Sequence, residues 1–200
     1  MSFPFDYPAE PLARLHGPRG YEDYESYRPW LRDDFAFRCV YCLRRERWSA
    51  PAGALEIDHF LPVAHNREKT TEYDNLYYCC GSCNKAKRDL LLPIPTQTLL
   101  RETIQIESDG TLISLTPDSE RIVELLGLNS PKYVEFRLLW IGIVNMAQLH
   151  SHDLFIRLMG YPEDIPDLAL LRPPAGNARP NGIAQSHFQR RLRGELTETY

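Results

Sequence analysis

The chain has 200 residues, 43% of them hydrophobic and 25% charged, and a formal net charge of −4. That length supports one or two domains with a buried core and no need of disulfides, and no run of about 18 apolar residues is there to span a bilayer. The acidic balance excludes a protein that coats nucleic acid through bulk charge, while leaving room for a local basic site.

The opening, MSFPFDYPAEPLARLHGPRG, has no basic segment followed by an apolar one, so a signal peptide is not expected and a cytoplasmic location is. Residues 1–22 read as an N-terminal arm rich in proline and glycine. Tyr24, Tyr27, Trp30, Leu31 and Phe35 then recur at three- and four-residue spacings, which predicts an amphipathic helix with Pro29 near its first turn. LEIDHFLPV alternates Leu55, Ile57 and His59 on one face and predicts a short strand. AHNREKTTEYD is a polar loop, NLYYCC a second strand, and NKAKRDLLL a short helix ended by Pro93.

Past Pro95 the pattern changes. ETIQIESDGTLISLT predicts a hairpin turning at Asp109-Gly110, a pair suited to the positive φ angles of tight hairpin turns. TPDSERIVELLGL predicts a helix capped by Thr116 or Asp118, with Pro117 in its first turn. The stretch from Ser130 to Met159 reads as helical and apolar enough to be substantially buried, with Trp140 in the core or on a partner surface. Residues 96–160 thus form a hairpin and helical region, and residues 161–200 a proline-rich tail that wraps the body or stays mobile.

All five cysteines, Cys39, Cys42, Cys79, Cys80 and Cys83, lie within one segment. Cys39-Val-Tyr-Cys42 and Cys80-Gly-Ser-Cys83 are two C-x2-C pairs, each able to present two thiolates from one turn, and together they complete a tetrahedral site for structural zinc. Cys79 is the remaining one; it could replace Cys80 at a less usual spacing, but is expected to pack on the apolar face of its strand. His16, His65, His150, His152 and His187 share no spacing with this segment and are expected at the surface. Tyr73 and Tyr77 could stack on bases, with packing the simpler role.

CVYC, EIDHFLPV and YDNLYYCCGSCNKAK together resemble the HNH endonucleases, which have a zinc-stabilised ββα-metal fold. The resemblance covers Cys39 to Arg88 and maps the three signature positions onto His59, Asn75 and Asn84. Many members carry histidine at the third position; the asparagine here is that of an HNN-type subset. Residues 23–95 then form the nuclease domain. The expected fold is α+β, a ββα-metal core with a four-cysteine zinc site followed by a mainly helical C-terminal region. The C-terminal half is also similar to bacterial HNH proteins of about this length, some of which act in defence against phage.

Phosphodiester hydrolysis needs a base on one side of phosphorus and a stabilised oxygen on the other, because attacking and leaving oxygens lie roughly in line. His59 is the candidate base, imidazole being the side chain that titrates nearest neutrality. Asp58 offers a hard oxygen ligand for magnesium or manganese and Asn84, at the helix start, a second. The resemblance implies that Asn75 orients His59 by a hydrogen bond. Lys85, Lys87 and Arg88 are candidates for the scissile phosphate, and Arg38, Arg44, Arg45 and Arg47 for flanking phosphates. The expected substrate is DNA, with RNA not excluded. Two other readings stand beside the nuclease: a zinc-stabilised nucleic-acid-binding module without catalysis, and a subunit whose C-terminal half docks on a partner such as an ATPase.

Overall fold

The computed structural model describes residues 4–49 and 55–200. The Asp23 carboxylate accepts the Glu25 N–H at the start of a 3-10 turn over Tyr24–Tyr27, and helix α1, Arg28–Asp34, follows with Pro29 in its first turn. The expected longer helix is therefore split in two. α1 buries Trp30 and Leu31, and beyond Phe35 the positive φ angles of Ala36 and Phe37 turn the chain sharply toward Cys39.

Strand β1, Leu55–His59, pairs antiparallel with β2, Leu76–Cys80, with Leu55 opposite Cys80, Asp58 opposite Tyr77 and His59 opposite Leu76. Helix α2, Gly81–Lys87, starts directly at the end of β2. The result is the expected ββα unit, with one shift: α2 begins three residues before Asn84 and stops at Arg88, whose φ of 48° ends it. Asn84 thus lies inside the helix. A Cβ at position 81 would come 2.5 Å from Glu56 Oε1, so a larger residue there would make that side chain swing aside.

A short helix α3, Pro95–Thr98, precedes the expected hairpin of β3, Ile104–Ile106, and β4, Leu112–Ser114. Gly110 has a φ of 81° at its turn, a conformation that favours glycine. Helix α4, Pro117–Leu125, is capped reciprocally by Thr116 and Ser119. α5, Pro131–His150, and α6, His152–Met159, pack on each other, with the Ser151 side chain capping the second. None of the helices among the described residues is long and apolar enough to cross a membrane.

The burial expected of α5 is not what the structure has. Tyr133, Arg137, Val144 and Ala147 are covered, whereas Leu139 is 58% exposed, Met146 59% and Leu149 75%. A helix apolar on every side has more apolar surface than one neighbouring layer can cover, and composition alone does not say which face is left over. Trp140 stacks on Trp48 with ring centroids 4.4 Å apart.

The arm and the tail both pack on the body. Phe5 and Tyr7 are buried, and Arg19 exchanges backbone hydrogen bonds with Ala175 and Gly176 of the tail. Helix α7, His187–Leu192, closes the contact. Here two of the histidines expected at the surface prove to be buried: His16 Nε2 lies 2.8 Å from Asp33 Oδ2, and His187 Nδ1 3.1 Å from Asp33 Oδ1. Their partner sits 154 positions from His187 in sequence, which is why no local spacing announces it. His65, His150 and His152 are exposed, as expected.

Burial opposes ionisation of Asp33, but hydrogen bonds from His16 and His187 outweigh it and hold its pKa at about 2. A carboxyl lowered on folding contributes stability above its unfolded value near 4 and loses it as the pH falls through about 2; the depression corresponds to about 2 kcal/mol. Asp33→Ala leaves two buried imidazoles without their acceptor, and should lower stability by about 3–5 kcal/mol and release the tail. Denaturant unfolding at neutral pH and limited proteolysis check both. An unchanged midpoint and an uncut tail would count against this anchoring role.

Candidate active site

The first knuckle is a tight turn in which Cys39 N–H donates to Arg44 O at 2.9 Å and Leu43 adopts a φ of 58°. Val40 N–H donates to Tyr78 O, which seats the knuckle against β2. Cys80 ends β2 as the N-cap of α2 and Cys83 lies in that helix's first turn. The four Sγ atoms of Cys39, Cys42, Cys80 and Cys83 lie within 4.8 Å of one another, all buried, and Cys42 and Cys80 are 3.6 Å apart. Tetrahedral zinc with bonds of ~2.3 Å requires sulfurs about 3.8 Å apart, so this donor set could hold it.

Hydrogen bonds from Cys39, Cys42 and Cys83 push the Cys80 thiol down, while burial raises Cys39 and hydrogen bonds within the cluster raise Cys83, so the four thiols share their protons as one group. Cys79 is buried and stands outside the cluster, on the opposite face of β2. Tyr133 on α5 brings its hydroxyl 3.4 Å from Cys83 Sγ and ties the C-terminal half to the cluster. No sequence signal marks Tyr133, because the pair is 50 residues apart.

His59 closes β1. Its Nε2 is 3.0 Å from Thr70 O in the loop between the strands. A carbonyl only accepts, so Nε2 carries the proton and Nδ1 keeps its lone pair. The Tyr24 ring packs edge-on at 4.8 Å and limits ring rotation. Asn75 does not bond to His59 directly. Its Oδ1 accepts Leu61 N–H at 2.7 Å and its Nδ2 donates to Leu61 O and Lys69 O, each at 3.1 Å. It therefore stitches the loop whose next residue, Thr70, holds the imidazole, and any orienting effect passes through the backbone.

Asp58 and Asn84 do not form the expected ligand pair. Alternation on β1 puts Asp58 on the face it shares with Glu56, toward α2, where it is 3% exposed. Its Oδ2 accepts the Tyr41 hydroxyl at 2.7 Å, and its Oδ1 pairs with Lys87 Nζ at 3.0 Å. Burial and the Asp58 charge push the Tyr41 hydroxyl well above its ordinary pKa, so it stays a donor. Asn84 Nδ2 instead donates to Glu56 Oε2 at 2.7 Å. Both Asp58 oxygens are thus engaged, one of them by Lys87, which a divalent ion on this pair would have to displace.

Lys87 also leaves the set of phosphate contacts. It is fully buried, donating to His59 O at 2.8 Å as well as to Asp58, so that the helix end is fastened to the strand end that carries the imidazole. Lys85 and Arg88 are exposed on the same short helix. Among the arginines near the first knuckle, Arg45 is 2% exposed and donates to Met159 O, and Arg44 lies over the Phe136 ring at 4.3 Å. Neither is a free surface charge. Tyr73 and Tyr77 are buried in the core.

No curated protein matches the chain. Residues 39–90 match the HNH endonuclease family model, so that the ββα unit, its four-thiolate cluster and His59 all fall within an HNH domain.

Proposed function

We propose that the domain is a nuclease that hydrolyses phosphodiester bonds in DNA, with His59 as its general base. The observation that carries the reading is the bond between His59 Nε2 and Thr70 O, which leaves Nδ1 as the proton acceptor at the end of β1. A water placed on Nδ1 gives it a proton while attacking phosphorus, the P–O bond opposite breaks and its leaving oxygen takes a proton from solvent, and the exposed Lys85 of α2 and Arg88 at its C-cap are the cations available to the phosphate oxygens. The family match supports dependence on a divalent ion such as magnesium or manganese. Because Asp58 and Asn84 are otherwise engaged, no step is assigned to such an ion.

The test is nicking of supercoiled plasmid by purified protein, with and without added magnesium or manganese, against DNA and RNA substrates in parallel. Loss of loop closure in Asn75→Ala should reduce the rate by roughly 10–100-fold, by analogy with residues that orient a functional ligand, while leaving zinc content unchanged. Zinc analysis and initial rates check this. A wild-type rate would show that Asn75 has no orienting role.

The buried Lys87–Asp58 pair favours a second reading, a DNA-binding module without catalysis. It predicts retention of DNA in a gel shift under conditions where no metal restores cleavage. The acidic net charge and the exposed apolar residues of α5 support recruitment by a protein partner through the C-terminal half, and the resemblance supports a role in defence.

A further inference from the structure

Beside the first knuckle is a cavity of about 710 Å³, a volume in the ordinary range for small-molecule sites. Five separate stretches of chain wall it: the arm, the end of α1 with the knuckle, the segment around Leu99, the end of α6, and the tail. Leu12, Val40, Leu43 and Leu99 supply apolar surface, and the charges are those of Arg38, Arg45 and the mutually paired Arg101 and Asp6.

Those arginines face each other across the knuckle as an isolated antiparallel bridge. Like charges directly opposite in such a pair are destabilising. Among the described residues no side-chain carboxylate lies within ion-pair distance of either one; Arg45 donates to the main-chain oxygens of Met159 and Tyr200, and the buried Nε atoms of both arginines lack a hydrogen-bond partner. Burial, with the adjacent Arg38 charge, lowers the Arg45 guanidinium to about 9. By contrast, Arg32 and Arg47 are paired with Glu46 and Glu163. The Tyr200 ring lies over both guanidiniums, 4.6 Å from Arg38 and 4.2 Å from Arg45, and has to shift for a ligand to reach them.

We propose that this cavity binds a free nucleoside monophosphate, its phosphate between Arg38 and Arg45 and its base against Leu12, Val40, Leu43 and Leu99. Two guanidinium forks suit the oxygens of one phosphate monoester, and a dianion relieves the repulsion between them.

The experiment is calorimetric titration of the full chain with AMP, adenosine, orthophosphate and a 5′-phosphorylated DNA 12-mer. AMP should saturate one site and bind at least tenfold tighter than adenosine or orthophosphate. Arg38→Gln should weaken it at least tenfold, and Val40→Phe, which fills the cavity without changing charge, should weaken it too. Both variants should keep zinc and their unfolding midpoints, so that lost binding is not lost folding. Absence of saturable AMP binding, equal affinity for adenosine, or wild-type affinity in both variants would overturn the proposal. Displacement of AMP by the 12-mer would assign the site to a nucleic-acid end and overturn the free-nucleotide form; no displacement supports it.

Discussion

Alanine at His59 removes plasmid nicking by at least about 10²-fold, and by up to about 10⁴-fold if proton transfer limits the rate, while zinc content and the unfolding midpoint stay near wild type. The expectation rests on position. The side chain is only partly buried at the end of β1, so its loss opens no core cavity, and the one hydrogen bond it makes, to Thr70 O, lies at the loop surface. His59→Gln sharpens the test, because a carboxamide can keep a donor toward Thr70 O without offering an imidazole base. If His59→Gln cleaves as well as wild type, the ring nitrogen is not the base. If His59→Ala loses zinc as well as activity, the role is structural.

Stripping zinc with a strong chelator is the second large effect. Thiolate sites of this kind contribute apparent free energies of about 10–16 kcal/mol at neutral pH, comparable with or above the whole stability of a domain. Residues 39–90 should lose their fixed packing, and Cys42→Ser should give protein without stoichiometric metal. Cys79→Ser should retain one zinc per chain, since Cys79 stands outside the cluster. Metal analysis, with circular dichroism before and after chelation, decides the matter. A metal-free protein with an unaltered melting curve would refute the site.

Features set by neighbours along the chain are legible in the amino-acid sequence. Two C-x2-C turns carry their own geometry, Asp109-Gly110 its turn and Thr116 its cap, so the knuckles, the hairpin and the start of α4 follow from short stretches. What escapes a local reading depends on partners far along the chain. Lys87 has helical spacing from Asn84, which suggests a phosphate contact, yet the strand packed beneath α2 offers it Asp58, 29 residues away. Asp33 unites His16 and His187 from opposite ends of the chain. On α2, a start three residues earlier than expected moves Asn84 off the first turn and into reach of Glu56. In each case the residue type declares its chemistry, and the packing chooses the partner.

The stitching of the loop by Asn75 has a consequence for how this domain can diversify. Since one carboxamide holds both Leu61 and Lys69, the segment between them is a closed excursion, whose far end, from Asn66 on, is bonded to Lys69 and Thr70 and whose exposed near end is not. Doubling such a segment costs only about 0.6 kcal/mol of closure entropy. Residues 63–65 are therefore a natural port for grafting: a longer or differently charged insert there could alter which nucleic-acid shape approaches the strand end, with the seat of the His59 imidazole left as it is.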